Sequence, residues 1–309
     1  MINIFKKFAE FILQSRFGAI LTVVFLVFLP LFRWAGWTVL GLVTLRKGAL
    51  EGSFVLAGVV LSVIVAGFLM SINPLPPGMS RDLMVFGMAG ILATGLWVWI
   101  LANVLRNTAS WSRVFQVVMW VGLSVVALVQ LIYPEVAVTW WLPIVKENLV
   151  RMQKSLPEMT ISDGLSTKIA TLMTGGYATL TLLAALFGLW VARWLQALLY
   201  NPGGLGQELM TIRLGVLEAA IAVMITLWIM MGDEALVIGF VPVIGLVFIV
   251  AGFSLVHRLL GMMKKPWIGA AAFYIILFVL FRYMIFFLIS LALIDAVVNV
   301  RKRLLMMKR

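Results

Sequence analysis

Apolar residues fill this chain in solid runs, with little alternation. A helix needs about 20 apolar residues to cross a bilayer core. Runs near that length lie at 53–71, 83–105, 114–133, 169–192, 214–231 and 235–256. A membrane barrel would alternate apolar and polar positions in segments of about 10, so these runs predict helices. Two further stretches are too long to be one span each. Residues 17–45 are interrupted by Pro30 and Arg33 and divide into 17–32 and a short 34–45. Residues 267–300 would make a helix of roughly 51 Å at about 1.5 Å per residue, against a core of about 30 Å. Such a helix would hold Arg282 near the bilayer centre, where a charge costs at least about 2.5–3.5 kcal/mol. Splitting it into 267–281 and 283–300 brings Arg282 to an interface. The pattern predicts an all-α polytopic membrane protein, one integral domain over 1–309, with about ten transmembrane or half-membrane helices.

Charge orients these segments. With the N-terminus inside, the outer side keeps only Arg33, Arg81, Lys146, Arg151, Lys154, Lys168 and Arg282 of the 24 basic residues. Seven of the 12 acids fall outside: Asp82, Glu135, Glu147, Glu158, Asp163, Asp233 and Glu234. Basic residues gather on the cytoplasmic side of membrane proteins, so both termini are expected inside. Lys6 and Lys7 precede an apolar run with no small-residue cleavage site, which reads as a retained signal anchor. The longest piece between spans, 134–168, is an outer-side connector. Trp141, Val145, Leu149, Met152 and Leu156 recur there every three or four residues, opposite Lys146, Glu147, Arg151 and Lys154. That is an amphipathic helix, either lying in the interface or lidding an outward cavity. The short segments are the second, ninth and tenth. They do not match between halves, so no inverted repeat is expected.

Composition narrows the chemistry. The chain is 63% hydrophobic and 12% charged, about half the charge of a soluble domain. It has no cysteine and one histidine, which excludes disulfides, thiolate metal sites and a His-rich site within one chain. The net charge of +12 follows from the inside bias, and no nucleic-acid partner is expected. No acid–base pair, nucleophile triad or metal constellation stands out, so the chain is expected to be no enzyme and to carry no cofactor.

What remains is a set of polar islands. In the first, Leu45-Arg46-Lys47-Gly48-Ala49-Leu50-Glu51-Gly52, Lys47 and Glu51 stand four apart and can pair. Gly48 and Gly52 there form a small-xxx-small face for a neighbouring helix. In the second, an apolar helix carrying Arg193 stops near Leu199, and Asn201-Pro202-Gly203-Gly204 writes a turn before Gln207, Glu208 and Arg213. A tight connector explains the turn, and glycine N–H groups cradling an anion is the functional alternative. Asp295 lies within an apolar run before Arg301 and Arg303, and Glu218 one turn or so beyond Arg213. Each acid is either a functional group or half of an ion pair at a helix end. His257, beside Arg258 at a helix end, is interfacial or a proton relay.

Taken together, LRKG-x-x-EG at 45–52, RW-x-QA-x-LYNPGG at 193–204 with Glu208 and Arg213-Leu214, Val256-His257, Trp267 with Tyr274, and Asp295 before Arg301 and Arg303 resemble the YybS-like membrane proteins, a bacterial domain of unknown function. The resemblance runs nearly the length of the chain. It implies a bacterial inner-membrane protein, loosely akin to the substrate-capture components of energy-coupling-factor vitamin importers. This chain is longer than those components, has more segments, and shows no Ala-xxx-Ala coupling signature in its first helix. The expected site is a cytoplasmic cluster built from 45–52, 193–213 and 295–303, in which Arg46, Arg193 and Arg213 converge on the Asn201–Gly204 turn (Gly203 and Gly204 included) with Glu51 and Glu208 as counter-charges, and to which Lys47, Asp295 and Arg301 also belong. Its expected partners are anionic lipids of the bilayer and a small molecule or lipid-linked anion. The alternative is a scaffold docking a membrane or cytoplasmic protein.

Overall fold

The computed structural model describes residues 2–73, 81–155, 163–200, 203–232 and 237–307. Of the described residues 89% are helical and none lies in a strand. In chain order come α1 (Ile2–Gln14), α2 (Arg16–Val27), α3 (Arg33–Lys47), α4 (Ala49–Ile72), α5 (Arg81–Thr108) and α6 (Trp111–Ile132). A π turn (Ala137–Trp141) leads into α7 (Leu142–Ser155), followed by α8 (Asp163–Tyr200), α9 (Gly204–Leu209) and α10 (Val216–Met230). A 3-10 turn (Ile238–Phe240) opens α11 (Val241–Leu260), and α12 (Pro266–Val279), α13 (Phe281–Val298) and α14 (Val300–Met307) follow. Among the described residues six helical stretches are long and apolar enough to cross a membrane: Ala49–Ile72, Leu83–Thr108, Trp111–Ile132, Gly164–Leu199, Ile238–Leu260 and Phe281–Val298. Arg16–Val27, Val216–Met230 and Pro266–Val279 are apolar but shorter. This is the make-up of a multi-pass membrane protein.

The helix ends differ from the hydropathy pattern in places. The first apolar run is preceded by a separate helix, α1, whose Ala9 and Ile12 are buried. Ser15 ends α1 and caps α2, its hydroxyl accepting from Gly18 N at 3.1 Å. α2 stops at Val27, five residues short of the run, because the chain turns before Pro30. Arg33 opens α3 and donates to the freed Val27 carbonyl at 3.1 Å. α8 has 38 residues, roughly 57 Å at about 1.5 Å per residue, and so includes residues 163–168 as well as the apolar run. The long C-terminal stretch breaks at Leu280 between α12 and α13.

The chain forms two compact units, Met1–Val114 with Thr181–Glu208 and Phe115–Leu180 with Leu209–Arg309. The first is organised around α3. Every residue from Gly36 to Leu45 is buried, so this short helix is enclosed on all sides. Small residues make that possible. A Cβ on Gly41 would stand 3.1 Å from Ala192 Cβ, and one on Gly188 would stand 2.6 Å from Trp37 Cβ. The two buried threonines, Thr38 and Thr44, return their hydroxyls to Trp34 O and Leu40 O at 3.0 and 2.8 Å, so enclosure strands neither.

In the second unit α11 packs along α13. The Gly252 position lies against the Leu288 carbonyl and has no room for a side chain. Val256, Phe273, Met284 and Leu288 close one apolar cluster there, and Val126, Ala178 and Val243 close another. In α7, Val145 and Leu149, together with Trp141 of the π turn, are buried, with the Trp141 ring 5.9 Å from that of Tyr177. Lys146, Glu147 and Arg151 are exposed, and Glu147 pairs with Arg151 at 2.6 Å. Met152 is 48% exposed, so the buried stripe ends before it. Leu156 lies outside the described residues.

Candidate functional site

The first polar island is a helix joint. Gly48 separates α3 from α4 with φ +105° and ψ −179°, a region essentially reserved for glycine. Arg106 of α5 fills the space a side chain would take, its Nη1 2.9 Å from the would-be Cβ, and donates to Thr44 O at 3.2 Å. The guanidinium thereby caps the C-terminal end of α3. Because Gly48 breaks the helix, Lys47 and Glu51 do not share a helical face, and the expected i,i+4 pair does not form. Glu51 accepts instead from Arg16 Nε at 2.9 Å and from its Nη2, while the guanidinium lies 4.6 Å over Phe54. The small-xxx-small face is likewise reduced to Gly52, which is pressed against Thr44 and Trp99. Arg46 and Lys47 are exposed at the joint.

The turn after α8 is stapled. Arg193 donates to Glu208 through Nε at 3.0 Å and Nη2 at 2.5 Å, and through Nη1 to Gln196 at 2.7 Å. Trp111 Nε1 adds a 3.2 Å bond to the same carboxylate. α9 is therefore folded back onto α8 by a two-pronged, charge-assisted contact. Gly203 is exposed with φ +89° and nothing within 4 Å of its would-be Cβ. Gly204 begins α9, which has only six residues. Asn201 and Pro202 lie outside the described residues. Arg46, Lys47, Glu51, Arg193, Gly203, Gly204 and Glu208 all belong to the first unit, whereas Arg213, Asp295 and Arg301 belong to the second.

In that second unit the helix is interrupted from Met210 to Gly215, and the segment is pinned at nearly every residue. Leu209 O accepts from Ser254 at 2.7 Å. Met210 O and Ile212 O accept from Arg301 at 2.6 and 2.7 Å. Arg213 crosses to the end of α13, donating to Asp295 O at 3.0 Å and Ala296 O at 2.8 Å. Irregular backbone at such a place must have its carbonyls satisfied, and the two arginines do that. Asn299 ends α13 in the left-handed region, φ +53°, and turns the chain so that Arg301 reaches back to Asp295 Oδ2 at 3.0 Å. Asp295 is 2% exposed, and its Oδ1 has no partner. Burial lowers the Arg301 pKa, Asp295 opposes that, and the charges of Arg213 and Arg258 add to it. Arginine remains protonated all the same.

Glu218 does not pair with Arg213. It folds onto the head of its own helix, Oε2 accepting from Gly215 N at 2.8 Å, and Oε1 accepts from Trp120 Nε1 at 3.2 Å. A carboxylate in the first turn is favoured by the helix dipole, which accounts for an acid only 5% exposed. Trp120 also walls an open groove of about 230 Å3 with Leu123, Ser124, Ala127, Ile225 and Phe240. His257 lies 2.9 Å from Phe253 O through Nδ1 and 2.9 Å from Tyr274 Oη through Nε2. Since a carbonyl only accepts, Nδ1 carries a proton, and Nε2 shares the second hydrogen bond with the Tyr274 hydroxyl.

Sequence reasoning named Asp295 with Arg301 but passed over Arg106, Ser254, Trp120 and the groove. Their signal was faint: single polar or aromatic residues in apolar runs. Among the described residues no group of three His, Cys, Asp or Glu side chains is placed to hold a metal ion.

The architecture defines the class: an all-α protein with, among the described residues, six helices fit to cross a membrane. No protein family model, characterised protein or solved structure matches the chain.

Proposed function

We propose that this is a multi-pass protein of a bacterial inner membrane with both termini in the cytoplasm, and that it binds or translocates a small molecule or lipid-linked anion at its cytoplasmic face. The observation that carries this reading is the charge at the break between α9 and α10. Arg301 pairs with the Asp295 carboxylate, and the charges of Arg213 and Arg258 lie close enough to act on Arg301. Three basic side chains thus gather where the backbone is irregular. Anionic head groups are drawn to such a place, as they are to the exposed Arg46 and Lys47 of the first unit. No catalytic step belongs to this reading.

Arg258 provides the test, because the clasp at 209–215 does not use its donors. Protein in detergent is exposed to farnesyl monophosphate, and bound copies are counted by native mass spectrometry. Arg258→Gln is expected to weaken binding about fivefold, the effect of about 1 kcal/mol per basic residue near a charged surface. Farnesol, the same chain without charge, serves as the control. Equal binding to wild type and variant would turn the reading to its rival, a scaffold docking a protein partner. That rival is favoured by Arg193, whose guanidinium is engaged by Glu208 and Gln196 in a rigid, self-contained face.

A further inference from the structure

α6 carries Trp120, Leu123, Ala127 and Gln130 at helical spacing on one face. The first three, with Ser124, Ile225 of α10 and Phe240, line the open groove. One polar group of its lining, Ser124, and one further along the same helix, Gln130, lack partners. Ser62, Ser71, Ser290 and Thr226, also in apolar helices, each return their hydroxyl to a carbonyl of their own helix. Ser124 makes no hydrogen bond among the described residues, and neither does Gln130. The Gln130 amide has its room because residue 239 is glycine, since a Cβ there would stand 2.7 Å from Nε2. Gly175 presses on the Gly239 carbonyl, and beside it the Thr174 hydroxyl is also buried without a partner. In hydrocarbon an unsatisfied polar group costs several kcal/mol. An apolar trough flanked by unmet hydroxyl and amide groups is therefore shaped for something that meets them.

We propose that this groove binds a neutral, single-chain amphiphile of the membrane, a fatty or isoprenoid chain whose hydroxyl or carbonyl groups are met by Ser124 and Gln130. The chain would lie on Trp120, Leu123, Ala127, Ile225 and Phe240. Neutrality follows from the walls. No basic residue lines the groove. The nearby carboxylate, Glu218, already accepts from Trp120 and Gly215, and an ionic head buried without a partner is heavily penalised. One chain is favoured by size: the groove, about 230 Å3, is smaller than the pockets of about 300–1,000 Å3 that enclose a drug-sized ligand. Ser124 and Gln130 are six residues apart, roughly 9 Å along the helix and about a third of a turn around it, so a head with several polar groups, as in a monoacylglycerol, would be needed to meet both. This site is independent of the charge-based reading above.

Photoactivatable monoolein, with a diazirine in its chain, tests the proposal on the full chain in phosphatidylcholine vesicles. Adducts mapped by mass spectrometry should concentrate at 120–130 and at the facing Ile225 and Phe240, and unlabelled monoolein should compete them away. Ser124→Ala and Gln130→Leu should each lower labelling about fivefold, one net hydrogen bond apiece, while leaving thermal stability intact, because neither side chain is bonded within the protein. Ala127→Trp, which fills the trough, should abolish labelling there. If that variant fails to fold, the two polar variants still decide the matter. Adducts spread evenly over all apolar helices, or labelling indifferent to Ser124→Ala and Gln130→Leu, would overturn the proposal. So would equal labelling of the groove by a diazirine phosphatidylglycerol, which would mean bulk lipid fills it.

Discussion

Replacing Arg301 with alanine should unfold the protein more easily than any exposed charge change. The guanidinium makes three bonds: to Asp295 Oδ2 at 3.0 Å, Met210 O at 2.6 Å and Ile212 O at 2.7 Å. The two side chains of the ion pair are only 11% and 3% exposed. An exposed pair is worth about 0.2–1 kcal/mol, but removing one partner of a buried pair costs about 3–5 kcal/mol, because the other charge stays behind. Here the charge left behind is Asp295, already short of a partner at Oδ1. The two carbonyls lose their donors at the same stroke, a cost that overlaps with the first because water entering the gap serves all three. The expected loss for Arg301→Ala is therefore about 3–5 kcal/mol, read as equilibrium unfolding in mixed micelles by tryptophan fluorescence. Asp295→Asn tests the same pair from the other side. The double variant should lose less than the sum of the singles by at least about 1 kcal/mol, the mark of groups in contact. A loss below about 1 kcal/mol for Arg301→Ala, with additive double-variant behaviour, would refute the buried clasp.

Gly48→Ala should cost about 1–3 kcal/mol through its glycine-only backbone and should also dislodge Arg106. Gly203→Ala, with open space around it, should cost only the left-handed penalty of about 1–2 kcal/mol; equal effects in the same unfolding assay would contradict the Arg106 cap. Cysteines placed at Glu147 and Arg151 should react with a water-soluble thiol reagent much faster than those at Val145 and Leu149, and equal rates would mean that α7 does not hold its buried face. Reporter fusions at Arg309 and within 140–160 should report opposite sides of the membrane, and a shared side would overturn the charge-based topology.

The pieces legible in the sequence were those with a local signature. A break near Arg282 was forced by length, and the chain does divide at Leu280. Asp295 with Arg301 was legible because an acid in an apolar run calls for a nearby cation. Glu51 was misassigned to Lys47 because i,i+4 reasoning assumes an unbroken helix, and the left-handed Gly48 between them breaks it. Arg213 could not be placed from sequence at all, since its acceptors are backbone carbonyls 82 and 83 residues away and carbonyls carry no letter. The enclosure of α3 was equally hidden: fifteen residues ending in Arg46 and Lys47 look like the weakest segment, yet small residues let the first unit wrap it.

The clasp also sets an order of events during synthesis. Its contacts join residues 82 to 91 positions apart, so α10 to α13 must be made before Met210–Gly215 meets its arginine donor from beyond α13. Until Arg301 leaves the ribosome, the carbonyls of Met210 and Ile212 lack that donor, and this stretch remains open to proteases and chaperones. A nascent chain halted before residue 301 would thus be distinguishable, at a site some 90 residues upstream, from one carried past it, and closing the clasp would report that α13 and the start of α14 have been made.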